Sequence, residues 1–241
     1  MKTKFITIIL ILSNLIFFTH ILNASATKIK TNNSEDKITE TKEKYKIQIY
    51  YPITEYKKLN NQINTDITNY LKEFKTNVKN STIPVNQYYH LIILYEKYEY
   101  SNYLSFIFRI EDFTGGAHPN HRIKTIVYNK ETNKLENIDN LIKKNKNFLN
   151  TISTISRDKL KTNSRITNLS MLYEGTKPTK ENFSNFVYSK YGLIFFFTQY
   201  QVAPYSQGEF NVTIPYSKLN NQWYNDNIRR WLNGYTISKY C

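Results

Sequence analysis

Residues 89–110 read YHLIILYEKYEYSNYLSFIFRI and carry the clearest strand pattern in the chain. Apolar side chains alternate with their neighbours from Tyr89 to Tyr95, and they alternate again from Leu104 to Ile110. A period of two is typical of a strand with one buried face, and the polar stretch between the two runs suits a turn. The sequence therefore predicts a β-hairpin.

The sequence on either side of this hairpin predicts further strands and two helices. Apolar residues recur at intervals of three and four over 59–74 and over 138–160, the spacing of a helix with one buried stripe. Alternation predicts additional strands at 46–50, 123–128, 193–198 and 209–214. Pro52 is expected to end the first of these strands or to keep it at a sheet edge. Because strands come in runs with helices between the runs, we predict an α+β fold: a single compact domain in which two main helices pack on an antiparallel sheet.

The N-terminus has the three parts of an export signal. Met1–Lys4 is basic, Phe5–Leu22 is an apolar run, and Ala24–Ala26 provides a cleavage site with small residues. An uncleaved anchor is the competing interpretation, since the apolar run approaches the ~20 residues that span a bilayer. Polar residues interrupt the run and the cleavage site follows it directly. We therefore predict a signal peptide at 1–26 and a secreted or periplasmic protein of the cell envelope, without a membrane span after cleavage.

The composition narrows the class of function. Lys and Arg number 33 against 19 Asp and Glu, which gives a formal net charge of +14. This excess favours anionic partners such as envelope polymers, and export argues against nucleic acid as a partner. Cys241 is the only cysteine, so no internal disulfide can form. The sequence contains no nucleophile elbow, no His-Glu-x-x-His helix and no phosphate loop, which argues against an enzyme.

Two segments are expected to lie outside the folded domain. Residues 27–44 are polar and charged, with too few apolar side chains to form a core, and they are predicted to be a flexible linker. Residues 220–241 are assigned to a C-terminal tail.

Two short motifs are more specific than these patterns. Gly115–Asn120 reads GGAHPN, and Val202–Tyr205 reads VAPY. Together, in this order, they resemble an exported bacterial family, the RsiV/PdaC-like domain, and the resemblance covers Tyr45–Leu219. It implies an α+β fold with helices on an antiparallel sheet, in which 45–135 and 136–219 are the two halves of one domain.

The resemblance also implies a function. Members of the family sense lysozyme, or precede a deacetylase domain that holds a metal with paired histidines and an aspartate; the sequence after Leu219 resembles no such domain. We therefore expect a non-catalytic module, without cofactor or metal, that binds lysozyme, peptidoglycan or another anionic envelope polymer. The binding residues implied by the two motifs are Gly115, Gly116, His118, Pro119, Asn120, Pro204 and Tyr205.

Each motif has a second interpretation. Paired glycines suit a tight turn, which His118 can hold by a hydrogen bond to the backbone. His118 and His121 are also spaced to ligate a metal with Glu111 or Asp112 as a third ligand. The alternative function is therefore a metal-dependent peptidoglycan-modifying enzyme that uses His118. The tyrosine of the second motif either presents a contact surface or caps the core, while its proline turns the chain.

Overall fold

The computed structural model describes residues 34–81 and 88–219. The predicted signal peptide at 1–26, the first part of the predicted linker and the tail at 220–241 lie outside the described residues. Within the described ranges, no helix is both long and apolar enough to cross a bilayer.

A six-stranded sheet forms one layer of the fold. Its strands follow chain order across the sheet: β1 (Ser34–Thr41), β2 (Tyr45–Ile53), β3 (Tyr89–Tyr100), β4 (Tyr103–Phe113), β5 (Asn120–Asn129) and β6 (Lys134–Glu136). Every neighbouring pair is antiparallel except β2 and β3, which are parallel. Parallel neighbours need a crossover connection, and helix α1 (Lys57–Asn80) provides it. The hairpin predicted at 89–110 is confirmed as β3 and β4.

Helix α1 covers one face of this sheet and forms a core with it. Its buried stripe consists of Leu59, Ile63, Ile67, Phe74 and Val78. The first four are among the positions whose spacing predicted the helix, and Val78 lies beyond them because the helix extends past 59–74 at both ends. Alternate residues of the facing strands, among them Ile47, Leu91 and Phe106, are fully buried against it. Apolar burial of this kind, at roughly 25 cal/mol per Å², is what holds the helix to the sheet.

A three-stranded antiparallel sheet lies against the other face of the six-stranded sheet. Its strands, in order, are β7 (Phe186–Ser189), β8 (Gly192–Phe197) and β9 (Phe210–Ile214). On one face, Val187 and Phe196 pack on Ile107 and Ile123 of the larger sheet. The opposite face, which includes Phe195, packs on three helices. These are α2 (Ile138–Lys144), α3 (Phe148–Lys161) and α4 (Leu169–Gly175).

The predicted α+β class is confirmed, but the strands form two sheets where one was expected. The strands predicted at 193–198 and 209–214 belong to the second sheet. As a result, the two main helices α1 and α3 do not share one sheet, because each packs on a different one.

The prediction of a flexible linker at 27–44 was wrong for its second part, because Ser34–Thr41 is strand β1. This strand pairs with β2 along its whole length. Its carboxylates are bound by neighbouring side chains: the Tyr45 hydroxyl donates to Glu40 at 2.6 Å, and the Lys75 ammonium lies 2.7 Å from the same carboxylate. A polar, charged composition is also what protects an exposed sheet edge from pairing with other chains. The polar, charged composition of Ser34–Thr41 is therefore that of an edge strand and not of a flexible linker.

Two further expectations need correction. Pro52 does not end β2, because β1 pairs with β2 across Pro52. It lies beyond the part of β2 that pairs with β3, so at this position β2 has a neighbouring strand on one side only. The helix predicted over 138–160 is two helices, α2 and α3, with a break at Asn145. The Asn145 side chain accepts a hydrogen bond from the backbone N–H of Asn147 at 2.9 Å. Such local bonds give the backbone an alternative to continuing the helix.

Buried tyrosines are expected to make the fold sensitive to alkaline pH. Burial raises the pKa of Tyr188 well above its usual value, and it also raises the pKa of Tyr216. The folded chain holds both phenols neutral, so their contribution to stability is complete below the unfolded-state pKa of about 10 and is lost as the pH rises towards the folded value. We expect tyrosinate absorbance to rise in two stages, the second coinciding with loss of the circular dichroism signal.

The variant Tyr216→Phe isolates one of these groups. It removes an ionisable phenol and should move the midpoint of alkaline unfolding to higher pH, although it also loses the bond from the hydroxyl to the Ser189 carbonyl at 2.9 Å. The expectation would be contradicted if all tyrosines ionised at pH ~10 while the chain kept its circular dichroism signal.

Candidate functional site

The two sequence motifs meet in space, although they lie in loops that connect strands of different sheets. The loop between β4 and β5 carries His118, and the loop between β8 and β9 carries Tyr205. The two rings stack with centroids 3.7 Å apart and an interplanar angle of 22°. The Tyr205 hydroxyl also donates to the carbonyl of Pro119 at 3.0 Å, across 86 residues of sequence. Burial raises the pKa of this hydroxyl further above neutral, where a phenol is protonated and able to donate in any case.

A third ring, that of Tyr200, joins this contact. Its hydroxyl lies 3.3 Å from Nε2 of His118, and its ring centroid lies 5.5 Å from that of Tyr205. Tyr200 has φ 66° and is 56% exposed. A left-handed backbone is strained for a bulky residue and tends to persist where the surroundings impose it. His118, Tyr200 and Tyr205 are called the aromatic wall below.

Gln201 fixes the loop that holds this strained residue. Its side-chain amide donates to the carbonyls of Gly175 at 3.1 Å and Asn182 at 2.9 Å. Its side-chain oxygen accepts the backbone N–H of Thr198 at 3.1 Å. The β8–β9 loop is therefore anchored to the C-terminus of α4, and this anchor sets the position of the aromatic wall.

A hollow of about 350 Å³, called the polar pocket below, opens beside the aromatic wall. Two of its polar atoms are buried and have no hydrogen-bond partner among the described residues: the acceptor Oε1 of Gln199 and the donor Nε of Arg122. Buried polar atoms normally find partners, so an unpartnered donor and acceptor in one hollow indicate a place for a polar ligand. The lining residues are Glu73, Asn77, Asp112, Asn120, His121, Arg122, Thr198, Gln199, Tyr200 and Tyr205.

Arg122 organises the base of the polar pocket. Its guanidinium donates to Asp112 at 2.8 Å and to Glu73 at 3.0 Å, and it lies 5.0 Å from the centre of the Tyr70 ring. Asp112 is only 5% exposed, and its second oxygen accepts from the Asn120 amide at 3.2 Å. Charge-assisted bonds of this kind hold side chains in one geometry, which pre-organises the pocket.

A second hollow of about 360 Å³, called the apolar groove below, continues from the polar pocket across the outer face of β3, β4 and β5. His121, Arg122 and Gln199 line both hollows. The floor of the groove is aliphatic, and its rim is charged. On the rim, Arg109 donates to Glu209 at 2.8 and 3.0 Å across 100 residues of sequence.

Two histidines of this region contact one carboxylate, and His118 is not one of them. Glu111 lies between His90, at 3.0 Å, and His121, at 3.6 Å. Nδ1 of His118 instead lies 3.0 Å from the Pro119 carbonyl, so its ring holds the loop. In the parts of the chain that the structure describes, no group of three or more His, Cys, Asp or Glu is arranged to hold a metal ion. Asp112, the other carboxylate considered as a ligand, is bound by Arg122.

The remaining motif residues surround these contacts. Gly115 and Gly116 have φ values of 108° and 111°, as expected for paired glycines in a tight loop. Asn120 lines the polar pocket, and Pro204 precedes the short 3-10 helix Tyr205–Gln207. Sequence reasoning missed Tyr200, Gln199, Arg122 and the whole apolar groove. The only sequence signal for any of them was the position of an aromatic residue, Tyr200, two residues before the second motif.

Comparison with known proteins divides the chain into two matched regions. A family model described as "Deacetylase PdaC" matches residues 38–121, and a model described as "Protein of unknown function (DUF3298)" matches residues 139–217. The first region contains the glycine–histidine motif, and the second contains Tyr200 and Tyr205. The aromatic wall is therefore built where the two matched regions meet. That 45–135 and 136–219 are the two halves of one domain stays a prediction.

A curated relative and solved structures of the DUF3298 family are similar to the chain. The chain is 33% identical over 117 residues to the peptidoglycan-N-acetylmuramic acid deacetylase PdaC of Bacillus subtilis (strain 168). The aligned segment makes up 48% of this chain and 25% of that protein. The chain thus spans about a quarter of that relative's length. A DUF3298 family member from Bacteroides fragilis has a TM-score of 0.51 at 18% identity, covering 77% of this chain and 91% of that one. A DUF3298 family protein from Pseudomonas aeruginosa PAO1 has a TM-score of 0.57 at 14% identity, and the match covers 79% of this chain and 94% of that one. At these identities the two structures establish the fold alone.

Proposed function

Because this chain belongs to the PdaC/DUF3298-like family, we propose that it is a non-catalytic module of the cell envelope that binds the glycan of peptidoglycan in its polar pocket. The family relation supports a role at the envelope, since the curated relative is named for peptidoglycan. The predicted export signal at 1–26 agrees with a secreted or periplasmic location.

The observation that carries the proposal is the aromatic wall beside two polar atoms that find no hydrogen-bond partner in the part of the chain that the structure describes. Sugar rings present an apolar face bordered by hydroxyls, and aromatic side chains stack on that face through apolar burial. Tyr200, which is 56% exposed, offers such a surface at the mouth of the pocket. Gln199 Oε1 can accept from a sugar hydroxyl or amide, and Arg122 Nε can donate to a sugar oxygen. The volume of about 350 Å³ lies within the range of small-ligand sites.

Lysozyme is the less favoured partner. The formal charge of the chain is +14, and Lys2 and Lys4 of the predicted signal peptide account for only two of these charges. Lysozymes are mostly cationic, so long-range repulsion would lower the association rate. Peptidoglycan and acidic wall polymers meet no such barrier.

The alternative of a metal-dependent peptidoglycan-modifying enzyme requires His118 to release its contacts with Pro119 and Tyr200. Metal analysis of the purified chain separates the two functions. Stoichiometric zinc that is lost in His118→Ala would favour the enzyme, and the binding module is expected to purify without it.

We expect Tyr200→Ala to weaken binding of a soluble chitooligosaccharide by at least about tenfold, the effect of losing ~1.4 kcal/mol of contact energy. The variant removes the exposed ring and leaves the net charge unchanged, so attraction of the basic chain to anionic wall polymers does not enter the comparison. Calorimetric titration at physiological salt, supported by sedimentation with purified peptidoglycan, measures the change.

Tyr191 provides the matched control. It is 69% exposed, in the turn between β7 and β8, and it lines neither hollow. Tyr191→Ala should bind as the unchanged chain does. Equal losses in the two variants, or no binding of saccharide by the unchanged chain, would refute glycan binding in the polar pocket.

A further inference from the structure

We propose that the chain docks on an anionic phospholipid surface through the end of the helix pair α3 and α4. The contact surface, called the basic tip below, consists of Arg157, Lys161, Arg165, Leu169 and Tyr173. These residues line neither the polar pocket nor the apolar groove. The inference therefore goes beyond glycan binding and does not depend on it.

The basic tip forms where α3 ends and α4 begins. The ring centroid of Tyr173 on α4 lies 5.0 Å from the guanidinium carbon of Arg157 and 5.3 Å from Nζ of Lys161. Arg157 and Lys161 are one turn apart on α3, and Leu169 is one turn from Tyr173 on α4. The loop between the two helices adds Arg165. Two cations thus share one aromatic ring at this end of the helix pair.

The positive charge of the basic tip is not balanced by carboxylates. Arg157 and Arg165 form no ion pair within the described ranges, and each donates to a backbone carbonyl instead, at 3.3 Å and 3.0 Å. Arg109 and Arg122, which line the hollows, each contact two carboxylates. Residues 157–173 carry four basic side chains and one acidic side chain, a net charge of +3. This surplus attracts an anionic partner.

The guanidinium of Arg157 is held in place by the helix pair itself. Its Nε donates to the hydroxyl of Thr176 at 3.1 Å, and its Nη2 lies 3.4 Å from the hydroxyl of Ser153. The third nitrogen, Nη1, makes no hydrogen bond to any residue that the structure describes. A guanidinium fixed in this way loses little rotamer freedom on binding, and its planar donors match the oxygens of a phosphate.

The apolar part of the basic tip favours a lipid surface over a soluble anionic polymer. Leu169 is 51% exposed and Tyr173 is 39% exposed. At a membrane interface, tyrosine lies at the level of the headgroups and leucine enters the boundary with the acyl chains, while neighbouring basic side chains meet lipid phosphates. A hydrophilic polymer would satisfy the charges and leave the leucine in water. The predicted export signal agrees with a location outside the membrane.

Sedimentation with lipid vesicles at physiological salt tests the proposal. The chain is purified in its exported form, after the predicted cleavage at residue 26, because the apolar run at 5–22 would itself bind lipid. We expect it to bind vesicles that contain phosphatidylglycerol and phosphatidylcholine in equal parts. Binding to vesicles of phosphatidylcholine alone should be at least about tenfold weaker, since these lack the negative surface potential.

A matched pair of charge variants separates the basic tip from the general basic character of the chain. Lys161→Gln should weaken binding to the anionic vesicles about fivefold, the usual contribution of one basic residue at such a surface. Lys190→Gln is the control, because Nζ of Lys190 lies 4.8 Å from the ring centroid of Tyr191, in the turn between β7 and β8. It removes the same charge from a similar lysine–tyrosine contact outside the basic tip, and it should bind nearly as the unchanged chain does.

A second pair of variants tests the apolar contact without changing the charge. Leu169→Ser should weaken vesicle binding by about threefold or more, because the exposed leucine no longer gains from leaving water. Leu135→Ser is the control, since Leu135 is 36% exposed on β6, outside the basic tip. Its vesicle binding should be unchanged.

Each outcome supports or overturns lipid docking at the basic tip. Equal losses in Lys161→Gln and Lys190→Gln would show that net charge alone attracts the chain, and they would overturn the proposal. A loss in Lys161→Gln with none in Leu169→Ser would indicate a hydrophilic anionic polymer as the partner and would also overturn it. Equal binding to both kinds of vesicle, or to neither, would do the same. Lys161→Gln should leave chitooligosaccharide binding unchanged, so failure here leaves the glycan proposal standing.

Discussion

Replacing Phe195 by alanine is expected to lower the free energy of unfolding by about 3–5 kcal/mol, the usual cost of truncating a fully buried phenylalanine. Phe195 is 0% exposed in the middle of β8. Its ring centroid lies 5.4 Å from that of Phe183, 5.9 Å from that of Phe186 and 6.5 Å from that of Phe148. Alanine would leave a cavity at the meeting point of the second sheet and α3, where the neighbouring rings are too constrained to collapse.

Urea unfolding followed by circular dichroism measures this change. Phe195→Leu is the control, because it keeps most of the buried volume and should cost clearly less than the alanine variant. Because β8 leads directly into the loop with Tyr200, the alanine variant should also bind saccharide less tightly. A loss of stability below about 1 kcal/mol would mean that the aromatic cluster is not the centre of this core.

Gly175→Ala is expected to damage both stability and binding, through a steric clash. A Cβ atom at this position would lie 1.9 Å from the backbone oxygen of Gln201 and 2.9 Å from Cγ1 of Val202. The nearest atom belongs to the backbone and cannot rotate away, so either α4 or the β8–β9 loop must move. Overpacking of this kind costs about 1–3 kcal/mol. Because Gln201 anchors the loop, Tyr200 and Tyr205 should shift and chitooligosaccharide affinity should fall by about tenfold or more.

The adjacent Glu174→Ala provides the control for Gly175→Ala. Glu174 is exposed on the same helix, and within 34–81 and 88–219 its carboxylate pairs with Lys177 alone, so its loss should change stability by no more than about 0.5 kcal/mol. If Gly175→Ala unfolds and binds like this control, the close approach between α4 and the loop does not position the aromatic wall.

Regular patterns explain why much of the fold was predictable. The α1 stripe and the alternation in β3 and β4 are local signals, and each arises from one element with one buried face. Strand β1 escaped prediction because its stability comes from pairing with β2 and from side chains such as Tyr45, while its own residues are polar. The break at Asn145 was hidden because apolar residues continue at helical spacing on both sides of it.

The site was only partly predictable, for a different reason. The motifs identified His118 and Tyr205, but no local pattern indicates that these two rings stack. The pair between Arg109 on β4 and Glu209, which directly precedes β9, joins residues 100 positions apart, and charged residues in this composition are too frequent to stand out. Tyr200 is one of 21 tyrosines, so only its backbone conformation and its position in the loop distinguish it.

The apolar contact between the two sheets has a consequence for how such chains can evolve. Ile107 comes from the region matched by the deacetylase model, whereas Val187 and Phe196 come from the region matched by the model of unknown function. Each region supplies the cover for the other's buried surface. Recombination that exchanged one region alone would create a mismatched seam, so the two regions should be inherited, duplicated and fused to other domains as a single unit.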